Sequence, residues 1–428
     1  MGEHMGSGAR ETYSPHASDR RTVALALIVM AGLAFRVAYV LTRRDLMIHG
    51  DGEWIHNAAN FLADGRGFID AAQTRVGLVE PTAHFPPAWT AVLAFPSWLG
   101  FRTVLDHQLW SCALGAATIG VVGTTARHLA GARAGLLAAA VTALYPNFWM
   151  YERVLQSETL VLLLASIALL SAFRFWRRPG PLGAVTAGVL CGLLALTRAE
   201  LILLLGLLLV PLIWLCRGVS RPRRTAWLVM AGAAAFATMA PWVAYNLNRF
   251  DHTVLLTDSF GSTVRVANCP SVYFGRYVGW WDHRCFTARP PGSRGALEYA
   301  QAHVDQLPIV LFAREGRTWG FFRPSQQTLL DTLGGPELSV TRLGLYTYWP
   351  LAALAVTGAV VLRRRHEPLF PLVAFVVTVA VAVALTFGQT RYRADAEVPI
   401  LLLAVVAVDA ALSRMLGHGA ERHSVRPH

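Results

Sequence analysis

The sequence contains no lysine and few charged residues of any kind. Its 38 basic residues are all arginine, against 26 acidic residues, which gives a formal net charge of +12. Charged residues make up 15% of the 428 positions and hydrophobic residues 54%, whereas a soluble domain carries about 25% charged residues. A soluble enzyme or a disordered tail of this composition would expose too much apolar surface to water. The composition therefore indicates a membrane protein, and the excess arginine is a topology signal rather than a sign of nucleic-acid binding.

The sequence also lacks a Walker motif, a dinucleotide-binding fingerprint, internal repeats and low-complexity tracts. Apolar runs of about 16 to 22 residues recur instead, long enough to span or nearly span a bilayer. We therefore predict an all-α polytopic protein. Its ten predicted membrane helices are residues 22–41, 108–127, 133–150, 158–176, 182–197, 201–216, 225–244, 342–362, 369–387 and 396–413.

The apolar stretch 86–101 decides the orientation of the chain. It is short, begins with Pro86 and Pro87, and contains Pro96, so it either crosses the membrane or lies along the interface. If it lies along the interface, twelve arginines fall in the short loops on one side and four on the other: Arg153, Arg198, Arg391 and Arg393. If it spans, the ratio inverts. The positive-inside rule favours an interfacial segment with Trp89 and Trp98 at headgroup level, and both termini in the cytoplasm.

This topology predicts a multi-pass protein of the cell membrane with two long outside segments, residues 42–107 and 245–341. The predicted regions are a disordered cytoplasmic terminus (1–21), a membrane module that includes the first outside segment (22–244), an outside cap (245–341), the last membrane helices (342–413) and a cytoplasmic tail (414–428). Cys112, Cys191 and Cys216 fall in helices. Cys269 and Cys285 both fall in the cap, where an oxidising exterior favours a disulfide over two free thiols.

The first outside segment carries a candidate catalytic carboxylate. Asp51 stands at the N-cap position of a predicted helix that runs to about Ala63 and stops near Gly65. The apolar face of that helix would lie on the membrane surface. A lone aspartate in this position is by default only a helix cap, so its function depends on what converges on it.

Arginines and glutamates converge on the same predicted face. Glu158 opens a membrane helix, Arg198 and Glu200 share a turn, and Arg391 and Arg393 precede the last helix. Arginine in an outside loop opposes the positive-inside tendency, so each is expected either to pair with a glutamate or to bind an anionic phosphate. For one arginine pairing is the favoured interpretation, whereas for the set a phosphate site competes with it. A carboxylate base beside such arginines suits transfer of a group from a lipid phosphate.

Several short motifs occur in order along nearly the whole chain. They are Asp51-Gly52-Glu53-Trp54, Gly65-Arg66-Gly67-Phe68, the Pro86-Pro87 pair, Glu158 at a helix start, Leu196-Thr197-Arg198-Ala199-Glu200, Pro241-Trp242 with Asn246, and Arg391-Tyr392-Arg393. With these motifs the chain resembles the GT-C glycosyltransferases that use polyprenyl-phosphate sugars. The nearest branch is glycosyltransferase family 39, with the protein O-mannosyltransferases and the aminoarabinose transferase of lipid A.

The resemblance implies a GT-C membrane fold and inverting transfer of a monosaccharide from a polyprenyl-phosphate donor to an envelope glycan, lipid or protein. Asp51 would be the general base. The second acid of the family motif is replaced by Gly52, so either Glu53 stands in for it or Asp51 acts alone. The resemblance places the lipid phosphate or sugar at His84, Arg153, Glu158, Arg198, Arg391 and Arg393. We expect no divalent metal.

Three alternatives stay open on the sequence alone. A transporter or flippase would need polar or discontinuous helices near the midplane, whereas the ionisable residues here gather at helix ends. A catalytically inactive scaffold is left open by the missing acid at Gly52. The aromatic residues of the cap, from Tyr273 to Trp281, either stack on a sugar or pack the cap, and packing is favoured.

Overall fold

A computed structural model of the chain describes residues 15–43, 47–287 and 292–424. These residues form helices and turns without a β-strand, and an isolated bridge joins Ile69 to Pro81. The predicted all-α class is confirmed. Of the N-terminal stretch predicted to be disordered, residues 1–14 lie outside the described residues, and residues 15–21 are helical instead. The last helix likewise continues through residues 414–424 of the predicted tail, and residues 425–428 lie outside the description.

The first membrane helix leads into a long loop that carries three helices. We call residues 43–103 the first loop. The helices are α1 (Pro15–Thr42), α2 (Asp51–Ala63), α3 (Ala71–Thr74) and α4 (Pro87–Trp98).

The next part of the chain returns repeatedly through the helical bundle. Its helices are α5 (Val104–Ala130), α6 (Ala132–Leu144), α7 (Pro146–Arg153), α8 (Glu158–Arg177), α9 (Pro181–Thr197), α10 (Val210–Trp214) and α11 (Arg221–Leu247). A 3₁₀ segment (Ala199–Leu203) and a π-helical segment (Leu205–Leu209) precede α10, so this apolar run is irregular over much of its length.

The second long loop of the structure covers residues 248–337, slightly less than the cap predicted at 245–341. From here on the cap means residues 248–337. Its helices are α12 (Phe260–Val266), α13 (Pro270–Tyr273), α14 (Gly292–Ala302), α15 (Leu307–Thr318) and α16 (Pro324–Asp331). The 3₁₀ turns of the cap are Gly275–Tyr277, His283–Phe286 and Thr332–Gly334. The chain ends with α17 (Leu338–Arg364), α18 (Phe370–Leu385), a 3₁₀ turn (Thr390–Arg393) and α19 (Ala394–Ser424).

Every predicted apolar run is helical, but the runs differ in length. Within the described residues, six helices are long and apolar enough to cross a membrane, and four shorter apolar helices accompany them. The run predicted at 133–150 is divided at Tyr145, which has extended backbone, and Pro146 restarts the chain as α7. A multi-pass membrane protein is therefore established, and ten spans stay a prediction.

The last helix lies at the centre of the bundle. In α19, 72% of the most apolar window is buried, compared with 17% in α1 and in α11. Arg36 fastens the peripheral α1: its Nε donates to Glu152 Oε1 at 2.8 Å, and its guanidinium also donates to the carbonyls of Thr142 and Ala143. The turn before α19 thus enters the middle of the molecule.

Helix α4 has 12 residues, which is too short to cross a bilayer. Of its two tryptophans, Trp98 is 73% exposed, but Trp89 is 2% exposed and donates through Nε1 to the Leu155 carbonyl at 2.8 Å. The Trp89 ring thus packs α4 onto the α7–α8 connection and is shielded from headgroups, and its depth in the membrane stays a prediction.

The cap has a small core of its own. Cys269 and Cys285 are joined by a disulfide with their Cα atoms 5.5 Å apart, the pairing that the sequence favoured. Tyr273 and Trp280 are buried, in keeping with cap packing. Arg314 Nη1 donates to the Ala384 carbonyl at 2.8 Å, which fastens the cap to the end of α18. The cap therefore lies against the same end of the bundle as the turn Thr390–Arg393.

Candidate active site

Asp51 begins α2 and contacts an arginine from the other end of the sequence. Gly50, with φ of 62°, takes the N-cap position, and Asp51 is the first helical residue. The predicted capping role was therefore wrong by one residue. The Asp51 carboxylate instead accepts a hydrogen bond from Arg391 Nη1 at 2.5 Å, with about 40% of its side chain accessible.

Arg391 is shared between Asp51 and the buried Glu158. Its Nε donates to Glu158 Oε1, and Arg198 Nη1 donates to the same oxygen at 3.0 Å. Glu158 stands at the first position of α8, and Arg198 follows the last residue of α9. Helix ends on four separate elements thus bring together residues that are up to 340 positions apart in the chain.

Arg198 has acidic and aromatic neighbours besides Glu158. Its Nε donates to Glu200 Oε1 at 2.8 Å, Nη1 lies 3.6 Å from Asp395 Oδ1, and the guanidinium carbon lies 4.9 Å from the centre of the Tyr392 ring. Both Asp395 oxygens are buried without a hydrogen-bond partner in the described part of the chain. The arginines are therefore paired with acids and gathered at one point, so the two interpretations open from the sequence are compatible.

Arg391 lowers the pKa of the Asp51 carboxyl. Burial alone would raise the pKa of the Asp51 carboxyl, but the Arg391 guanidinium, with help from its hydrogen bond and from His84, holds that pKa below its usual value. Asp51 is consequently ionised at neutral pH.

Gly52 occupies a position where a side chain does not fit. A Cβ atom built on Gly52 would lie 1.9 Å from the Val154 carbonyl oxygen. Leu155, which follows Val154, is fully buried with φ of 57°. This conformation costs a non-glycine residue about 1–2 kcal/mol. The family's second acid is thus excluded by the close approach of α2 to the end of α7.

Glu53 faces a cavity of about 410 Å³ and pairs there with Arg75 at 2.5 Å. The described residues that line the cavity all belong to the first loop and are Gly50, Asp51, Glu53, Trp54, Asp70, Ala71, Ala72, Arg75, His84 and Phe85. Three predicted site residues, Asp51, Glu53 and His84, therefore share it. Trp54, Asp70 and Arg75 were missed; Trp54 directly follows the acidic motif, but no periodicity marks the four-residue helix between Asp70 and Arg75.

The contacts of Arg393 differ from those predicted. Its side chain is fully buried, Nε donates to Glu397 Oε1 at 2.7 Å, Nη1 donates to the Thr318 carbonyl at 3.1 Å, and the guanidinium lies 3.6 Å over the Tyr348 ring. These contacts join α15, α17 and α19. They fit a structural role, so contact of Arg393 with a phosphate stays a prediction that its surroundings do not favour.

Arg153 is also held inside the protein. It is 2% exposed, and its Nη2 donates to the Gly335 carbonyl at 2.6 Å. Gln156 Nε2 donates to the neighbouring Gly334 carbonyl at 2.9 Å. Together they fasten the end of the cap to the α7–α8 connection, so the phosphate contact predicted for Arg153 does not fit its place. Within the described residues, no group of three or more His, Cys, Asp or Glu side chains could hold a metal ion.

Residues 86–245 match the sequence model of a family described as dolichyl-phosphate-mannose-protein mannosyltransferase. No curated protein gives a significant match.

The fold is similar to that of solved oligosaccharyltransferases from Archaeoglobus fulgidus. The apo enzyme is 13% identical, with a TM-score of 0.55 over 95% of this chain and 52% of its own. The enzyme AglB in complex with an inhibitory peptide and a dolichol-phosphate is also 13% identical, with a TM-score of 0.57 over 97% of this chain and 53% of its own. This chain thus spans about half the length of those proteins.

A third structure, ArnT from Cupriavidus metallidurans bound to undecaprenyl phosphate, is 14% identical with a TM-score of 0.45 over 94% of this chain and 79% of its own. The likeness of fold rests on the archaeal structures. The family model over residues 86–245 and the shared fold of the archaeal structures are in keeping with the resemblance that the motifs indicated.

Proposed function

On the premise of this GT-C fold, we propose that the protein is an inverting membrane glycosyltransferase that moves a monosaccharide from a polyprenyl-phosphate donor to an acceptor of the cell envelope. The observation that carries the proposal is the contact of the Asp51 carboxylate with Arg391, beside an accessible cavity. A relative of the same fold holds a dolichol-phosphate. The proposed location is the cell membrane, with both termini in the cytoplasm and the site facing outside.

The reaction needs a base and a cationic site for the leaving group. Asp51 takes the proton of the acceptor hydroxyl as its oxygen bonds to the anomeric carbon of the sugar. The bond between that carbon and the phosphate oxygen breaks, and its electron pair leaves with the polyprenyl phosphate. Arg391, supported by Arg198, stabilises the negative charge on the departing phosphate.

The pairing of Asp51 with Arg391 describes the protein before donor binding. A phosphate competes with the Asp51 carboxylate for the Arg391 guanidinium, whereas Glu158 keeps its contact with Arg198. Once Arg391 faces the phosphate, Asp51 loses the cation that depresses its pKa and becomes a stronger base. Donor binding thus prepares the base for the acceptor.

The transporter alternative has one observation in its favour. The irregular segment Ala199–Trp214 directly follows Arg198, and discontinuous helices line the binding sites of many transporters. A transporter would not need an ionised base in contact with the candidate phosphate site, so transfer remains the better-supported function.

The proposal is tested with the full chain in lipid nanodiscs and with radiolabelled polyprenyl-phosphate hexoses and pentoses as donors. We expect Asp51→Asn to bind donor but to lose about 10²- to 10⁴-fold in sugar release to acceptor or water. The matched control is Asp64→Asn in the same helical region, because Asp64 is 41% exposed and pairs with Arg102 outside the site.

Three results would contradict the proposal. Full activity of Asp51→Asn would show that Asp51 is not the general base. Donor binding by the unmodified protein without turnover indicates a scaffold. Movement of intact donor across a liposome membrane, without sugar release, indicates a flippase.

A further inference from the structure

Among the described residues, Asp51 is the point where the first-loop cavity meets the arginine cluster of Arg198 and Arg391. Asp51 lines the cavity and also contacts Arg391, whereas Arg391 contributes instead to the lining of a much smaller cavity with Asp331 and Gln156. Asp51 therefore stands between a compartment with the paired arginines on the bundle side and an accessible compartment on the loop side.

An inverting displacement requires these two compartments to have different occupants. The acceptor oxygen and the leaving phosphate lie on opposite faces of the anomeric carbon, and the base must reach the acceptor hydroxyl. A phosphate at Arg391 therefore leaves the loop side of Asp51 to the acceptor. Resting on the proposed function, we propose that the first-loop cavity is the acceptor subsite and that it takes a neutral, hydroxyl-rich saccharide.

The walls of the cavity suit a sugar ring. Trp54 and Phe85 present aromatic rings with centroids 5.2 Å apart, and Trp54 is fixed because its Nε1 donates to Asp70 Oδ1 at 3.1 Å. Fixed aromatic surface combined with a few convergent polar groups is what orients a small polar ligand in a pocket. The apolar C–H face of a saccharide can lie on these rings while its hydroxyls point to the acids.

Glu53 and Arg75 supply hydrogen-bonding groups at the cavity wall. Their side chains pair at 2.5 Å and remain 38% and 56% accessible. The carboxylate accepts from sugar hydroxyls, and the guanidinium donates to their oxygens. Glu53, the acid displaced by one residue from the Gly52 position, would thus contribute hydrogen bonds to the acceptor.

The volume of the cavity and the charge of its lining limit the class of acceptor further. About 410 Å³ is at the small end of ligand pockets, which suits one or two sugar rings rather than a lipid tail. Asp51, Glu53 and Asp70 face a single arginine, Arg75, so the lining is acidic overall. An anionic acceptor such as a uronic acid would be repelled, whereas a neutral saccharide would not.

The binding test uses the full chain in nanodiscs and saturation-transfer NMR with three probes: a neutral methyl disaccharide, a methyl glucuronide and a short capped peptide containing serine. We expect the neutral disaccharide to bind best. Trp54→Leu should weaken its binding by about tenfold, as loss of a central aromatic contact does. The control is Trp98→Leu, since Trp98 is 73% exposed and does not line the cavity.

The charged pair provides a second test that does not depend on packing. Glu53→Gln should improve binding of the glucuronide relative to the neutral disaccharide, and Arg75→Gln should worsen it. Each variant keeps a side chain of polar character at a partly exposed position. Equal shifts in both variants would overturn the electrostatic part of the proposal.

Three further results would overturn the subsite itself: preferred binding of the glucuronide, preferred binding of the peptide, or no saccharide binding at all. Donor consumption by water in the same nanodiscs separates this failure from that of the proposed function. Donor consumption without saccharide binding would contradict the acceptor subsite but support the transferase function. Loss of consumption on the replacement of Asp51 supports the transferase whatever the probes show.

Discussion

Arg391 and Arg393 stand two residues apart in one 3₁₀ turn and have different surroundings. Arg391 keeps 21% of its side chain accessible and shares itself between Asp51 and Glu158, whereas Arg393 has none accessible and is held by Glu397. With about three residues per 3₁₀ turn, residues two apart point in different directions. The comparison teaches that one Arg-Tyr-Arg motif supplies a candidate functional arginine and a structural one.

The largest expected effect is on stability, at the buried arginine. Arg393→Met leaves Glu397 buried with Tyr145 and Asn147 as its hydrogen-bond donors within the described residues. Removing one partner of a buried ion pair costs about 3–5 kcal/mol, so the thermal midpoint of the detergent-solubilised protein should fall markedly. The double variant with Glu397→Met should recover part of the loss. A single variant as stable as the unmodified protein would end the structural assignment.

Arg391→Gln should affect turnover instead. Loss of one donor to a developing anion reduces turnover by about 10²- to 10³-fold, measured as sugar release from polyprenyl-phosphate donors. The thermal midpoint should change little, because Glu158 still pairs with Arg198, and the Asp51 side chain is partly solvated. Arg391→Lys should restore part of the activity through its charge. A fall in thermal midpoint as large as that of Arg393→Met would remove the distinction between the two arginines.

Gly52→Ala tests whether the close approach of α2 to α7 places Asp51 against Arg391. The added Cβ meets the Val154 carbonyl, so α2 must shift, at a cost typical of overpacking of about 1–3 kcal/mol. We expect lower activity, and Gly52→Asp, which restores the family acid, should be worse rather than better. The control is Gly232→Ala in α11, where a Cβ has open space. Higher activity of Gly52→Asp would contradict this account.

The smallest expected effect is a pH dependence at Asp331, which lines the small cavity beside Arg391. Burial raises the pKa of its carboxyl to about 6, against hydrogen bonds from Thr390 and Gln327 that lower it. A raised acid pKa means that the folded chain holds a proton longer than the unfolded one, so stability falls as pH rises from about 4 to about 6. Asp331→Asn should flatten this part of a thermal-midpoint profile between those pH values. An unchanged slope would place the titration elsewhere.

The sequence predicted the fold class, the apolar helices apart from the break at Tyr145, and the meeting of Asp51, Glu158, Arg198 and Arg391. Hydropathy and arginine placement carry this information because the bilayer limits the possible structures. It did not separate Arg391 from Arg393, since composition does not tell which side of a turn a residue faces. It also missed Asp70 and Arg75, whose position in the cavity depends on a four-residue helix without a periodic signal. Gly52 appeared as a missing acid, and only the nearby Val154 carbonyl explains it as a packing requirement.

The Arg36–Glu152 pair also has a consequence for the order of synthesis. Its two residues are 116 positions apart, so α1 enters the bilayer before its partner has been translated. During that interval the charged guanidinium of Arg36 is solvated by water, lipid headgroups or the insertion machinery, to which its long side chain can extend. Helix α1 packs against α5 and α6, which are made earlier, but Arg36 gains its acidic partner only after α7 has emerged. Neutralisation of the charge in the first helix therefore depends on a segment that is translated 116 residues later.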